Sequence, residues 1–167
     1  MYKINDLVVY RRNVCKVIAK KRSDFTGELC YVLEPYENTD YGCRVQVPVS
    51  NKAGHLRSVV TKDEVDELCK KSVEIEPLES KPANMKSKYQ AKMKGDDLED
   101  LVCIIKTSSQ RNQERMKNNK KLAAVDGEFL QKAEDYLYSE LSVALEMPKE
   151  QTKEYFINEV KRLSDES

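Results

Sequence analysis

The chain has 167 residues, with 29 basic and 29 acidic side chains and a single histidine. That length allows one domain or two small ones, and a hydrophobic content of 40% excludes disorder throughout. No apolar run approaches the ~20 residues of a membrane-spanning helix; the longest, Leu101 to Ile105, is bounded by Asp100 and Lys106. The opening MYKINDLVVYRRN lacks a cationic start followed by an apolar stretch, so the expected compartment is the cytoplasm, with no membrane partner. Cysteines stand at 15, 30, 43, 69 and 103 with no C-x-x-C pair. That spacing argues against a zinc site and a disulfide framework and predicts reduced, mostly core thiols.

The first 60 residues read as short strands. Leu7-Val8-Val9-Tyr10 is a compact β run, and Val14 to Ala19 is rich in β-branched residues. Leu29 to Leu33 is nearly continuous and apolar, as in a buried strand. Arg44 to Val49 alternates, with three valines on one face. Turn clusters separate these runs at Arg12-Asn13, Asp24 to Glu28 and Pro35 to Gly42. Strands at this spacing predict a small SH3-like or Tudor-like β-barrel.

The period changes at Thr61, where Thr61-Lys62-Asp63-Glu64 fits a capping box and Val65, Leu68 and Cys69 follow on one helical face. Residues 73–83 hold Pro77 and Pro82 without a period and read as a linker. Beyond it the pattern is helical. Asp96 is the expected N-cap of a helix carrying the stripe Leu98, Leu101, Val102 and Ile105. A longer helix begins near Ala123 or Asp126 and carries Leu130, Ala133, Leu137, Leu141, Ala144 and Leu145. Pro148 opens a last helix that buries Tyr155, Phe156, Val160 and Leu163. The expected fold is therefore α+β with two domains: a barrel at 1–72, a linker at 73–83, and an all-α helical bundle at 84–167.

Charge is uneven along this plan. Residues 1–78 carry a net +1, residues 79–121 a net +5 and residues 122–167 a net −6. With a Debye length of ~8 Å in physiological salt, the basic middle block can meet a polyanion locally. Its core is Asn84 to Lys94, where Lys86, Lys88, Lys92 and Lys94 alternate with Met85, Tyr89 and Met93. Cations that neutralise phosphates beside apolar tips that wedge at a base step suit a duplex-distorting protein; a solvated surface helix is the alternative. Catalytic motifs are lacking: the five glycines form no phosphate loop, no G-x-S-x-G or H-E-x-x-H occurs, and His55 sits in a polar, turn-like context. No enzyme, cofactor, metal or small-molecule substrate is expected.

Several blocks, in order, resemble the CarD/CdnL family of transcription regulators. Asp6 to Tyr10 is similar to its G-D-x-V-V-Y opening, Leu29 to Leu33 to its Y-Y-V-L strand, and Val45 to Asn51 to its x-x-V-P-x-x-N strand, followed by Leu56-Arg57. Tyr89 to Leu101 and Ala133, Leu137, Glu140 and Leu141 resemble the family's later segments. Met85, in N-M-K-S-K-Y, stands where many members place a wedging tryptophan; this chain has no tryptophan. The resemblance implies a bacterial regulator that binds the RNA polymerase β subunit and touches promoter DNA, largely independently of sequence, at the upstream edge of the bubble. It implies polymerase contacts at Arg44, Val45, Gln46 and Val47 and at a loop of Lys20, Lys21 and Arg22. It also implies DNA contacts at Met85, Lys86, Lys88, Tyr89 and Lys92, with Met85 either wedging or packing inside the bundle. Two other readings stand beside it: a protein-only polymerase adaptor, and an RNA-binding Tudor/KOW-like module using Tyr2, Tyr10, Tyr31, Tyr36 and Tyr41 for stacking.

Overall fold

The computed structural model describes residues 1–37, 43–79 and 84–166. Residues 38–42 of the expected turn, Tyr41 among them, and residues 80–83 of the expected linker lie outside these. The chain divides into two compact units, Met1–Val60 and Thr61–Ser167.

The first unit is an antiparallel sheet of β1 (Leu7–Tyr10), β2 (Asn13–Arg22), β3 (Leu29–Pro35), β4 (Val45–Pro48) and β5 (Leu56–Ser58), in the order β4-β3-β2-β1-β5. Strand pairing among the described residues thus ends at β4 on one side and β5 on the other, and closure into the expected barrel is not seen. Val8, Cys15, Val17, Tyr31, Leu33, Val47 and Leu56 form its core, with Tyr2, Tyr10 and Val49 packed against them. Val17 pairs with Leu33 and Ala19 with Val32, so Ile18 is an extra residue, a β-bulge that bends the long β2. The β1–β2 turn consists of Arg11 and Arg12, at φ 46° and 70°, as a two-residue hairpin of the strands' own twist requires. Asn13, expected in the turn, opens β2 instead and donates its side-chain amide to the Arg11 carbonyl at 3.1 Å. Asn51 braces the approach to β5: its amide group donates to the Leu56 carbonyl at 2.8 Å and accepts from the Leu56 N–H at 3.3 Å.

The second unit contains α1 (Lys62–Glu74), α2 (Met85–Met93), α3 (Leu98–Lys117), α4 (Ala124–Leu145) and α5 (Lys149–Glu166). The capping box at α1 forms as the sequence predicts, with Thr61 Oγ1 accepting from Glu64 N–H and Glu64 Oε1 accepting from Thr61 N–H, each at 3.2 Å. Val65, Leu68 and Cys69 are buried, and α1 packs on α5, α3 and α4. The expected domain boundary after residue 72 therefore moves to Val60/Thr61, because the apolar face of α1 finds its partners among the helices.

The linker expected at 73–83 is also revised. Residues 73 and 74 end α1, and the next residues run along α3: Leu78 N–H donates to Thr107 Oγ1 at 2.8 Å and Cys103 Sγ to the Glu76 carbonyl at 3.4 Å. Lys106 Nζ donates to the Ser72 and Ile75 carbonyls, capping the end of α1. Three more boundaries differ in detail. Asp97, not Asp96, holds the N-cap position of α3, without a side-chain capping bond; α4 starts at Ala124, so Asp126 lies inside its first turn; and in α5 only Thr152 and Phe156 are buried.

Candidate functional site

β4 is four residues long and lies at one end of the sheet. Arg44, Val45 and Gln46 are exposed, whereas Val47 is buried against the core. The Val49 N–H donates to the Leu29 carbonyl at 2.9 Å. Backbone groups alternate in direction along an antiparallel strand, so every second residue back from Val49 bonds inward. Gln46 and Pro48 then face outward, and the missing N–H of Pro48 falls on the free side, where a strand tolerates it.

Lys20, Lys21 and Arg22, expected in a loop, are the last residues of β2. Their place follows from the ladder, which pairs Lys20 with Tyr31, Lys21 with Cys30 and Arg22 with Leu29. Because Tyr31 also pairs with Val47, register sets Lys20 two strands, about 10 Å, from Val47. Lys20 Nζ lies 5.6 Å from the Tyr31 ring centroid, and Arg22 donates to the Gly27 carbonyl at 3.0 Å. The two segments expected to meet polymerase thus lie on strands separated by β3, with Lys20 level with Val47. Of the tyrosines named in the RNA-binding reading, Tyr31 is buried in the core with Tyr2 and Tyr10 against it, Tyr36 is exposed, and Tyr41 lies outside the described residues.

α2 is divided between inside and outside. Met85 is 2% exposed and Tyr89 fully buried, so neither side chain reaches a duplex from this position; the expectation of DNA contact at both is corrected. Tyr89 stacks on Phe129 at 5.1 Å, and its hydroxyl donates to Asp126 Oδ1 at 2.6 Å. Arg111 Nε donates to both Asp126 oxygens, at 2.9 and 3.1 Å. Burial and the adjacent Asp126 carboxylate push the Tyr89 phenol well above its usual range. This buried Tyr–Asp–Arg arrangement ties α2, α3 and α4 together. Sequence reasoning missed it: its members lie 15 and 37 residues apart, and Asp126 resembled a cap.

The lysines of α2 remain outside. Lys86 is exposed, Lys88 donates to the Glu79 carbonyl at 2.7 Å, and Lys92 pairs with Asp100 at 3.5 Å. No cluster of metal-ligating side chains is present among the described residues, and no described helix is long and apolar enough to cross a membrane.

The family model for the CarD C-terminal domain matches residues 76–157, from the segment after α1 into α5. No curated protein matches the chain. The matched stretch holds the whole of α2, α3 and α4 with the buried arrangement that joins them, and the match supports a protein of the CarD/CdnL family of transcription regulators.

Proposed function

We propose that this regulator docks on the RNA polymerase β subunit through the β4 end of its sheet, while its helical unit approaches promoter DNA at the upstream edge of the bubble and alters open-complex stability. The observation that carries the reading is the position of β4 as an end strand with Arg44, Val45 and Gln46 exposed. Such a strand can extend a partner's sheet through backbone hydrogen bonds. Lys20, Lys21 and Arg22 add positive charge on β2, two strands from β4. On the helical side, contact is electrostatic and made by lysines, because the apolar tips of α2 are committed to the core. A small cationic surface that binds DNA weakly alone gains from the effective concentration polymerase provides.

The test uses the full chain and the isolated β lobe. Charge reversal at Lys21 and Arg22 together with Gln46→Glu should weaken binding. Unchanged affinity in a folded variant would remove this end of the sheet from the interface. The burial of Met85 also favours a second reading, a polymerase adaptor with no DNA contact. That reading requires polymerase-dependent effects that do not change when the duplex upstream of the bubble is removed.

A further inference from the structure

The helical unit leaves one seam open. α3 and α5 each pack on α1 and α4, but α1 has 13 residues against 20 and 18 for α3 and α5, so it cannot cover either along its whole length. A groove of about 660 Å³ lies between α3 and α5, with Ser72 and Val73 from the last turn of α1 and Glu134 and Tyr138 of α4 in its lining. Small-ligand sites span ~300–1,000 Å³. The α3 wall runs from Val102 to Gln113, about 16 Å at 1.5 Å per residue. Val102, Tyr138 and Phe156 are buried there, Ile105 and Val160 half-buried, and Ile157 is 48% exposed. The polar lining is mainly cationic. Lys153 is paired with Glu134, and Lys161 has no ion pair among the described residues. Lys106 is half-buried, and its ammonium donates to the Ser72 and Ile75 carbonyls. An ammonium has three donors, so one is unspent. No described carboxylate balances this charge, and burial lowers the Lys106 pKa from the usual lysine range.

We propose that the α3–α5 groove binds a free, single-chain amphiphilic carboxylate, with its head group at Lys106 and its alkyl chain along Ile105, Phe156, Ile157 and Val160. The apolar wall and the cation ask for different things, and one molecule of this class supplies both. Its chain removes Ile157 and the neighbouring apolar surface from water. Its carboxylate accepts the unspent Lys106 donor in a charge-assisted hydrogen bond and offsets the desolvation of the ammonium. A neutral apolar ligand would leave that charge unbalanced, and an alkylammonium would add a second cation beside it. The occupant would also bridge α1, α3 and α5, so binding stabilises the helical unit by mass action. The site is independent of the polymerase and DNA contacts proposed above.

The experiment titrates the full chain with dodecanoate, dodecanol and dodecylamine, each below its micelle-forming concentration, by calorimetry and amide chemical shifts. Dodecanoate should bind saturably, shift the amides of Ile105, Phe156 and Ile157, and bind at least about tenfold more tightly than dodecanol, as a hydrogen bond to a charged group allows. Each CH₂ removed on going to octanoate should weaken binding by up to about fourfold. Lys106→Met should erase the preference for carboxylate over alcohol, a ratio that loss of the α1 cap alone does not move. Val160→Trp fills the groove without touching Lys106 and should abolish binding of both, so the test stands even where Lys106→Met fails to fold. Absence of saturable dodecanoate binding overturns the proposal. So does dodecanol or dodecylamine binding as tightly as dodecanoate, an unchanged preference in folded Lys106→Met, or undiminished binding in folded Val160→Trp. A helical peptide with leucines at i, i+3, i+4 and i+7 and glutamates between them serves as competitor. Tighter binding of that peptide than of dodecanoate shows a protein-docking seam and likewise overturns the proposal. Thermal midpoints accompany each variant, so that lost binding is not mistaken for lost fold.

Discussion

β4 and α2 are the two short surfaces on which the proposed interactions depend, and they offer a partner different things. A strand at the end of a sheet leaves half its backbone groups free of the ladder, so β4 can be recognised through its main chain whatever its exposed side chains are. α2 spends its backbone hydrogen bonds internally. It offers only side chains, and Met85 and Tyr89 are already used to hold it on α3 and α4. Recognition at β4 should therefore tolerate side-chain replacement and fail when a backbone group is lost. Recognition at α2 should behave as a sum of charges, and it should depend on buried anchors that touch no partner.

The largest expected effect comes from those anchors. Asp126 is fully buried and accepts from Arg111 and from Tyr89. Asp126→Ala strips both of their shared acceptor and should cost about 3–5 kcal/mol in denaturant unfolding. Met85→Ala should cost about 2–5 kcal/mol by opening a cavity, and Met85→Trp about 1–3 kcal/mol by overpacking. If Met85 instead served as a wedge, Ala would shorten and Trp lengthen open-complex lifetime on polymerase while the unfolding midpoint stayed put. That pattern would break the contrast between the two surfaces.

The same contrast governs what could be read from the sequence. Near Thr61 the signal was local: Thr and Glu three residues apart must meet if a helix starts there, and they do. The strand runs were legible because β-branched residues and alternation act over neighbouring positions. The β1–β2 turn was legible only to within a residue: Arg12-Asn13 carries the signal, while Arg11 and Arg12 form the turn at positive φ. α2 left the role of Met85 open for a different reason. Met85 and Tyr89 lie among lysines, which looks the same in sequence whether the apolar tips face a duplex or a core. The deciding groups, Arg111 and Asp126, come from other helices. The linker was misjudged likewise, because two prolines predict extended chain without showing that Thr107, Cys103 and Lys106 bind it to α3.

Alkaline pH offers a smaller perturbation that separates the units. Burial pushes the Cys15 thiol, in the sheet, up to about 11. Burial, with Glu159 and Asp66 nearby, pushes the Cys69 thiol of α1 up to about 11 as well. A thiol ordinarily ionises near 9.0, so between about pH 9 and 11 the unfolded chain releases protons that the folded chain keeps. The stabilisation is complete below pH 9 and is lost as pH rises through that window, at of order 2 kcal/mol per thiol. The buried Tyr89 and Tyr138 phenols, also shifted upward, add a loss of the same sign in the helical unit alone. Denaturation followed separately in the two units should show the helices weakening more steeply than the sheet. Cys15→Ala should flatten the profile of the sheet only.

The smallest effect bears most directly on β4. The Gln46 N–H faces away from β3, by alternation from the inward bond of Val49 to Leu29. Gln46→Pro deletes that donor and leaves the inward bonds of its neighbours in place, and Pro is tolerated on the free side of an end strand. One backbone hydrogen bond is worth about 1 kcal/mol net, so affinity for the β lobe should fall about fivefold. Gln46→Ala removes the side chain but keeps the N–H, and should change affinity less than twofold. Binding isotherms of the two variants, with sheet stability checked in parallel, decide between backbone and side-chain recognition. An equal loss in both places the recognition in the Gln46 side chain. β4 would then present itself to a partner as α2 does, through side chains, and the distinction between the two surfaces would disappear.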